Sequence, residues 1–106
     1  MSLEATFAAL ADPHRRRAVE LLSAQPRRAG ELARMLDLSP PAMSRHLRAL
    51  RLAGLVEEQS PQFDARVKVY ALRSEEMANL KLWLEQTEAM WASQLAAFKQ
   101  HLETGA

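Results

Sequence analysis

The chain has 106 residues, 48% hydrophobic and 25% charged, and its 14 Lys and Arg against 13 Asp and Glu give a formal net charge of +1. That length fits a single domain (residues 1–106) with one core, not two. Cysteine is absent, which excludes disulfides and thiolate metal sites. No apolar run approaches the ~20 residues of a membrane span, and no signal peptide opens the sequence, so a soluble cytoplasmic protein without membrane attachment is expected.

The near-neutral total conceals an asymmetry. Residues 1–54 carry nine Arg and five acids (+4), whereas residues 55–106 carry five basic and eight acidic residues (−3). All nine arginines lie between Arg15 and Arg51. Positive charge gathered in one half marks a candidate polyanion-binding surface, although charge runs are more often simply solvated faces.

In chain order, Leu3, Phe7 and Leu10 recur at helical spacing and predict a short N-terminal amphipathic helix. Asp12-Pro13 ends it and begins another, with Asp as N-cap and Pro at the first helical position. This second helix runs to about Ser23, with Ala18, Leu21 and Leu22 inward. His14, Arg15, Arg16 and Arg17 crowd its first turns, where cations oppose the helix dipole. Either a phosphate lies nearby, or Arg17 pairs with Glu20 and the others stay hydrated. Gln25 to Arg28 read as a turn. A short helix over about Gly30 to Leu36 follows, burying Leu32, Ala33 and Leu36.

Asp37-Leu38-Ser39 breaks the chain before the best-defined element of the sequence. Ser39 is a suitable N-cap, Pro40 takes the first helical position, and Gly54 suits a left-handed C′ residue with Leu55 folding back on Leu50. Between these ends Met43, Leu47, Leu50 and Gly54 form the buried stripe. Pro41, Ser44, Arg45, Arg48 and Leu52 fall opposite, with two guanidinium groups, a hydroxyl and no acid. Such a face suits the DNA major groove, where Arg reads guanine; a solvated surface helix is the plainer alternative. Helix, short turn, helix is the spacing of a helix-turn-helix (residues 30–54), whose second helix is the reading element.

After Gly54 the period changes. Leu55 to Glu58 and Arg66 to Leu72 read as two strands joined by turn residues including Ser60, Pro61 and Asp64. Val67, Val69 and Ala71 share one face of the second strand, and Arg66, Lys68, Tyr70 and Leu72 the other. A hairpin (55–72) with cations near its tip, directly after a reading helix, fits a wing that reaches the phosphate backbone. An ordinary core-covering hairpin is compatible with the same pattern.

The last element is a long helix (74–102), capped by Ser74 with Glu75 and Glu76 in its first turn. Leu80, Leu84, Thr87, Trp91, Leu95, Phe98 and Leu102 step by three or four, and Trp83, Met90 and Ala97 add a second stripe. So wide an apolar face over some seven turns exceeds what one small domain covers. The same helix from a second subunit is the economical partner, with folding back over its own domain as the alternative.

With these parts in order, the chain resembles the ArsR-type (ArsR/SmtB) family of dimeric winged-helix bacterial repressors. The residues that carry the resemblance are Leu10 to Arg17, Gly30 to Ala33, Leu38-Ser39, Met43 to Leu50, Ala53 to Val56 and Tyr70 to Leu72. Trp83-Leu84-Glu85 with Trp91 resembles the subgroup lacking metal-sensing residues. The resemblance implies a mainly helical α1–α2–α3–α4–β–β–α5 winged helix-turn-helix. It implies a homodimer through the first and last helices, with Leu3, Phe7, Leu84, Trp91, Leu95 and Phe98 at the interface. It also implies operator binding relieved by a signal.

By the same resemblance Ser39, Ser44 and Arg45 occupy DNA-contacting positions, Arg66 and Lys68 sit on the wing, and Arg28 replaces a Ser or Thr helix cap as an added phosphate contact. Arg48 joins them from its place on the outer face. Pro40 stands where relatives carry a polar base-reading residue, which leaves specificity to Ser44, Arg45 and Arg48. Ala33 and Met35 lie where metalloid sensors carry cysteines, and His14, His46 and His101 are isolated in sequence, so no metal or other cofactor is expected. No cysteine nucleophile, Gly-rich phosphate loop or Ser/His/acid cluster points to an enzyme. The expected function is a homodimeric repressor that binds double-stranded DNA at an inverted-repeat operator. The alternative is a winged-helix protein-interaction module.

Overall fold

The computed structural model describes residues 3–59 and 67–104. Its elements are α1 (Leu3–Leu10), α2 (Pro13–Ala24), β1 (Arg27–Arg28), α3 (Ala29–Met35), α4 (Pro40–Leu52), β2 (Val56–Gln59), β3 (Val69–Leu72) and α5 (Ser74–Thr104). The fold is mainly helical, with a small antiparallel sheet in the order β1-β3-β2.

Local chemistry sets the helix ends. Asp12 is extended (φ −83°, ψ 128°), and its Oδ1 accepts the N–H groups of His14 at 2.8 Å and Arg15 at 3.3 Å, so α2 starts at Pro13. Ser39 Oγ accepts the N–H of Ala42 at 3.3 Å, which starts α4 at Pro40. At the far end Gly54 adopts φ 80°, its N–H donates to the Arg51 carbonyl, and Leu55 N–H donates to the Leu50 carbonyl, both at 3.0 Å. This is the Schellman closure expected from the sequence. The end of α3 repeats it with a different residue. Leu38 N–H reaches the Ala33 carbonyl at 2.9 Å and Asp37 N–H the Arg34 carbonyl at 3.2 Å, with Asp37 itself left-handed at φ 55°. Two matched closures therefore fix the turn into α4 and the exit from it.

The core lies where α2, α3 and α4 meet the sheet. Leu32, Met43, Leu47, Leu50, Leu55 and Val56 are fully buried there, with Ala18 and Leu22 beside them. Met43, Leu47, Leu50 and Gly54 are all buried, and Pro41, Ser44, Arg45, Arg48 and Leu52 are all exposed, as the helical period requires. Truncating a side chain such as Leu50 to Ala costs ~2–5 kcal/mol at sites of this kind.

Four expectations need correction. Arg27 and Arg28 do not belong to a turn: they form β1, paired as Arg27↔Tyr70 and Arg28↔Val69. The Arg27 side chain is largely buried, donating from Nε to the Leu21 carbonyl at 3.0 Å and pairing with Glu31 at 3.5 Å, which holds this edge down. The helix expected over Gly30 to Leu36 begins and ends one residue earlier. The first hairpin strand lies one residue later than expected, at Val56–Gln59, and the second begins only at Val69; they are joined in the register Val56↔Leu72 to Gln59↔Val69. Val67 and Lys68 are irregular, while Arg66 and the turn residues Ser60, Pro61 and Asp64 lie outside the described residues. Ser74 is the first residue of α5 instead of its cap, because the Arg73 carbonyl already accepts the Met77 N–H at 3.5 Å.

Helix α5 has 31 residues, a length of roughly 46 Å at ~1.5 Å per residue. None of its side chains is buried. Its first turns touch the body of the protein: Met77 packs on the core, and Trp83 meets Phe7 of α1 edge-on, with centroids 5.1 Å apart. Beyond Trp83 the helix stands clear, in a molecule measuring 69 × 26 × 22 Å. Leu84, Met90, Trp91, Leu95, Phe98 and Leu102 are 51–62% exposed. Folding back over its own domain is thereby ruled out as the cover for this stripe.

Candidate nucleic-acid interface

Helix α4 is gripped from below by its buried stripe and presents a continuous polar face above. Ser44 and Arg48 are four residues apart and Arg45 and Arg48 three, so the three side chains adjoin on that face. Neither Arg45 nor Arg48 is engaged in an ion pair or side-chain hydrogen bond, and no acid lies within ion-pair distance of either among the described residues. Such free guanidinium groups are available to a phosphate or to a guanine edge. Ser39, at the tip, spends its oxygen lone pair on the Ala42 cap. Its hydroxyl hydrogen is still available to donate.

Arg51, one turn on, is different. Its Nη1 sits 2.8 Å from Glu58 Oε2 on β2. The Tyr70 hydroxyl donates to the same carboxylate oxygen at 3.4 Å, and Lys68 Nζ stands 3.8 Å from Oε1. Glu58 thus ties the end of α4 to the hairpin, one position from the loop end of its ladder. Burial pushes the Tyr70 phenol up from its ordinary value, and the Glu58 charge adds to this while Arg51 works against it. Lys68 remains 58% exposed, so a phosphate can draw it from its loose pairing. Arg28 is exposed at the start of α3, makes no side-chain cap bond, and pairs through its backbone with Val69, next to Lys68 in the chain.

At the start of α2 the arginines divide. Arg17 pairs with Glu20 at 3.4 Å across solvent-exposed side chains, one of the two arrangements expected. Arg16 is exposed, and Arg15 is half-buried beside α1. Partial burial pushes the Asp12 carboxyl up. The N–H groups of Arg15 and His14, with the charges of His46 and Arg15, outweigh it and hold the group below its ordinary value. His46 Nδ1 lies 4.0 Å from Asp12 Oδ1, and the His14 and His46 rings, far apart in sequence, meet with centroids 5.6 Å apart. Among the described residues no group of three or more His, Cys, Asp or Glu is arranged to hold a metal ion.

Residues 12–58, from the Asp12 cap to Glu58, match the family described as bacterial regulatory protein, arsR family. Over 103 residues the sequence is 35% identical to the HTH-type transcriptional regulator Rv2034 of Mycobacterium tuberculosis, covering 97% of this chain and 91% of that protein. The chain belongs to the ArsR family. The fold is similar to the ArsR-like transcriptional regulator from Rhodococcus sp. RHA1, at 35% identity and a TM-score of 0.75, covering 92% of this chain and 90% of that one. A second solved ArsR-family regulator, RHA00566, matches at 30% identity and a TM-score of 0.73, over 85% and 96% of the two chains.

This ArsR-family chain is therefore a transcriptional regulator built on a DNA-binding winged helix-turn-helix. Its structure gathers Ser39, Ser44, Arg45 and Arg48 on α4, and sets Arg28 and Lys68 at the adjoining sheet; Arg66 lies outside the described residues. Sequence reasoning missed the Arg51–Glu58–Tyr70 junction. Its members are 7 and 12 residues apart on elements of different period, so no spacing rule brings them together. The His14–His46 contact escaped for the same reason. No helix among the described residues is long and apolar enough to cross a membrane.

Proposed function

We propose that this ArsR-family regulator is a homodimeric repressor that binds an inverted-repeat operator, with the whole chain acting as one winged-helix domain. The observation that carries the reading is the outer face of α4, where Ser44, Arg45 and Arg48 stand exposed, with no partner among the described residues, above a fully buried underside. Arg45 and Arg48 enter the major groove, with Ser44 beside them. Ser39 and Arg28 hold the backbone, and Lys68 with Arg66 meets phosphates from the wing.

The dimer follows from the apolar stripe that α5 leaves uncovered. Two α5 helices pair through Leu84, Trp91, Leu95 and Phe98, with Leu3 and Phe7 of α1 at their side. An exposed run of large apolar side chains of this size is unusual on a monomer, and tryptophan and phenylalanine are interface-enriched residues. A two-fold dimer then places its α4 helices in successive major grooves, about one helical turn apart.

Two measurements test this. Light scattering of the purified protein is expected to give twice the chain mass, and Trp91→Glu to give the monomer. A monomeric wild type that ignores DNA would favour the protein-interaction reading. Replacing Arg66 and Lys68 together is expected to reduce the salt slope of DNA binding by about one unit per lost phosphate contact. An unchanged slope removes the wing assignment.

A further inference from the structure

A groove of about 440 Å³ runs between α1 and the C-terminal end of α4, with Arg15 of α2 at its side. That volume falls within the ~300–1,000 Å³ of small-molecule sites. Its walls are Ala5, Ala8 and Ala9 on one side and Ala49, Leu52 and Ala53 on the other. Leu52 is 68% exposed, a large apolar side chain that its own fold leaves uncovered. The single charged group among these residues is the Arg15 guanidinium.

Among the arginines of the N-terminal half that make no ion pair with a described residue, Arg15 alone is half-buried; the others are exposed. Arg17, Arg27 and Arg51 each face an acid within 3.5 Å, whereas Arg15 makes no ion pair and no side-chain hydrogen bond among the described residues. Its Nε is buried without an acceptor. Asp12, whose carboxyl feels the Arg15 charge, turns its Oδ1 to the backbone N–H groups of His14 and Arg15. The fold has half-buried a guanidinium at the edge of an apolar groove, with no carboxylate at ion-pair distance among the described residues.

We propose that this groove binds a small monocarboxylic acid with an apolar body, its carboxylate on the Arg15 guanidinium and its hydrocarbon between the alanines of α1 and the Ala49–Leu52–Ala53 end of α4. Charge complementarity selects the headgroup, since guanidinium and carboxylate match as a two-pronged, charge-assisted pair. The small alanine side chains leave room for the tail, and Leu52 covers it. Phe7 is not among the lining residues: at ~100° per residue Ala5 and Ala9 lie almost opposite it on α1, and Ala8 about a quarter-turn away.

The test uses the full chain without DNA, so its outcome is independent of how the protein binds DNA. Octanoate and its neutral counterpart octanamide are titrated by calorimetry and by the fluorescence of tryptophan, Trp83 being in contact with α1 through Phe7. Octanoate is expected to bind at one molecule per chain, and octanamide at least about tenfold more weakly, the scale of one hydrogen bond to a charged group. Arg15→Gln is expected to cause a similar loss and Arg15→Lys a smaller one. Ala8→Leu, which fills the groove at an exposed helical position, should abolish binding with the fold intact by circular dichroism. Equal binding of acid and amide, octanoate binding unaffected by Arg15→Gln and Ala8→Leu, or no octanoate binding at millimolar concentration would each overturn the proposal.

Discussion

Replacing Arg45 with alanine separates reading of DNA from stability. Arg45 is exposed and has no partner among the described residues, so its loss is expected to change folding free energy by ~0.5 kcal/mol or less. A good bidentate contact to guanine discriminates by ~1–3 kcal/mol. A homodimer presents the side chain twice, so operator binding should weaken by ~2–6 kcal/mol, roughly 30-fold to 10⁴-fold. Arg51→Ala is the control from the same helix. Its guanidinium is committed to Glu58 at 2.8 Å, so its removal strips a partly buried carboxylate of its strongest partner. That variant is expected to lose stability and to retain its preference for operator over scrambled duplex. Anisotropy of labelled operator and scrambled duplexes at several salt concentrations, beside urea denaturation, measures both quantities. Arg45→Ala with an unchanged operator-to-scrambled ratio would refute the assignment of this face as the reading surface.

Other outcomes follow from the caps and the titrating groups. Tyr70 is the chain's one tyrosine, so absorbance near 295 nm follows it alone; its ionisation should fall above the ordinary value of 10 and move down in Glu58→Gln. Because the folded value is raised, the associated stability is complete below the unfolded value and is lost as pH climbs through the folded one. Asp12 has the opposite sign: its lowered value stabilises the fold above the ordinary aspartate range, and this fades as pH falls through the folded value. Asp12→Asn, which keeps the cap, is expected to flatten the acid limb of a stability–pH curve. At the two left-handed positions, Gly54→Ala should cost ~1–2 kcal/mol. Asp37→Gly should gain about 0.5 kcal/mol, strain relieved less the chain entropy of glycine; chemical denaturation at fixed protein concentration reads both.

What was legible in the sequence was whatever is written in short-range chemistry. Ser39-Pro40 and Gly54-Leu55 mark the ends of α4 because caps act within a few residues, and the 3.6 period separates Leu47 from Arg48 without reference to the rest of the chain. β1 was not legible because two residues carry no period. Arg27 and Arg28 become a strand only because β3 offers a free edge and because Arg27 finds Leu21 and Glu31. Asp37 as a left-handed closure is hidden for a similar reason: the sequence rule names glycine there, and only the paired bonds to Ala33 and Arg34 reveal the aspartate in that role. Of the interface, the face of α4 was visible in advance. The Glu58 junction and the Arg15 groove were not, since both depend on how separate elements pack.

The central claim is that two copies of α4 read a symmetric DNA site, and selection of bound sequences from random duplex DNA with the purified protein tests it most directly. The expected result is an enriched palindrome with half-sites one helical turn apart, lost or relaxed in Arg45→Ala. Recovery of unenriched sequence, or of a single unrepeated half-site, would contradict it.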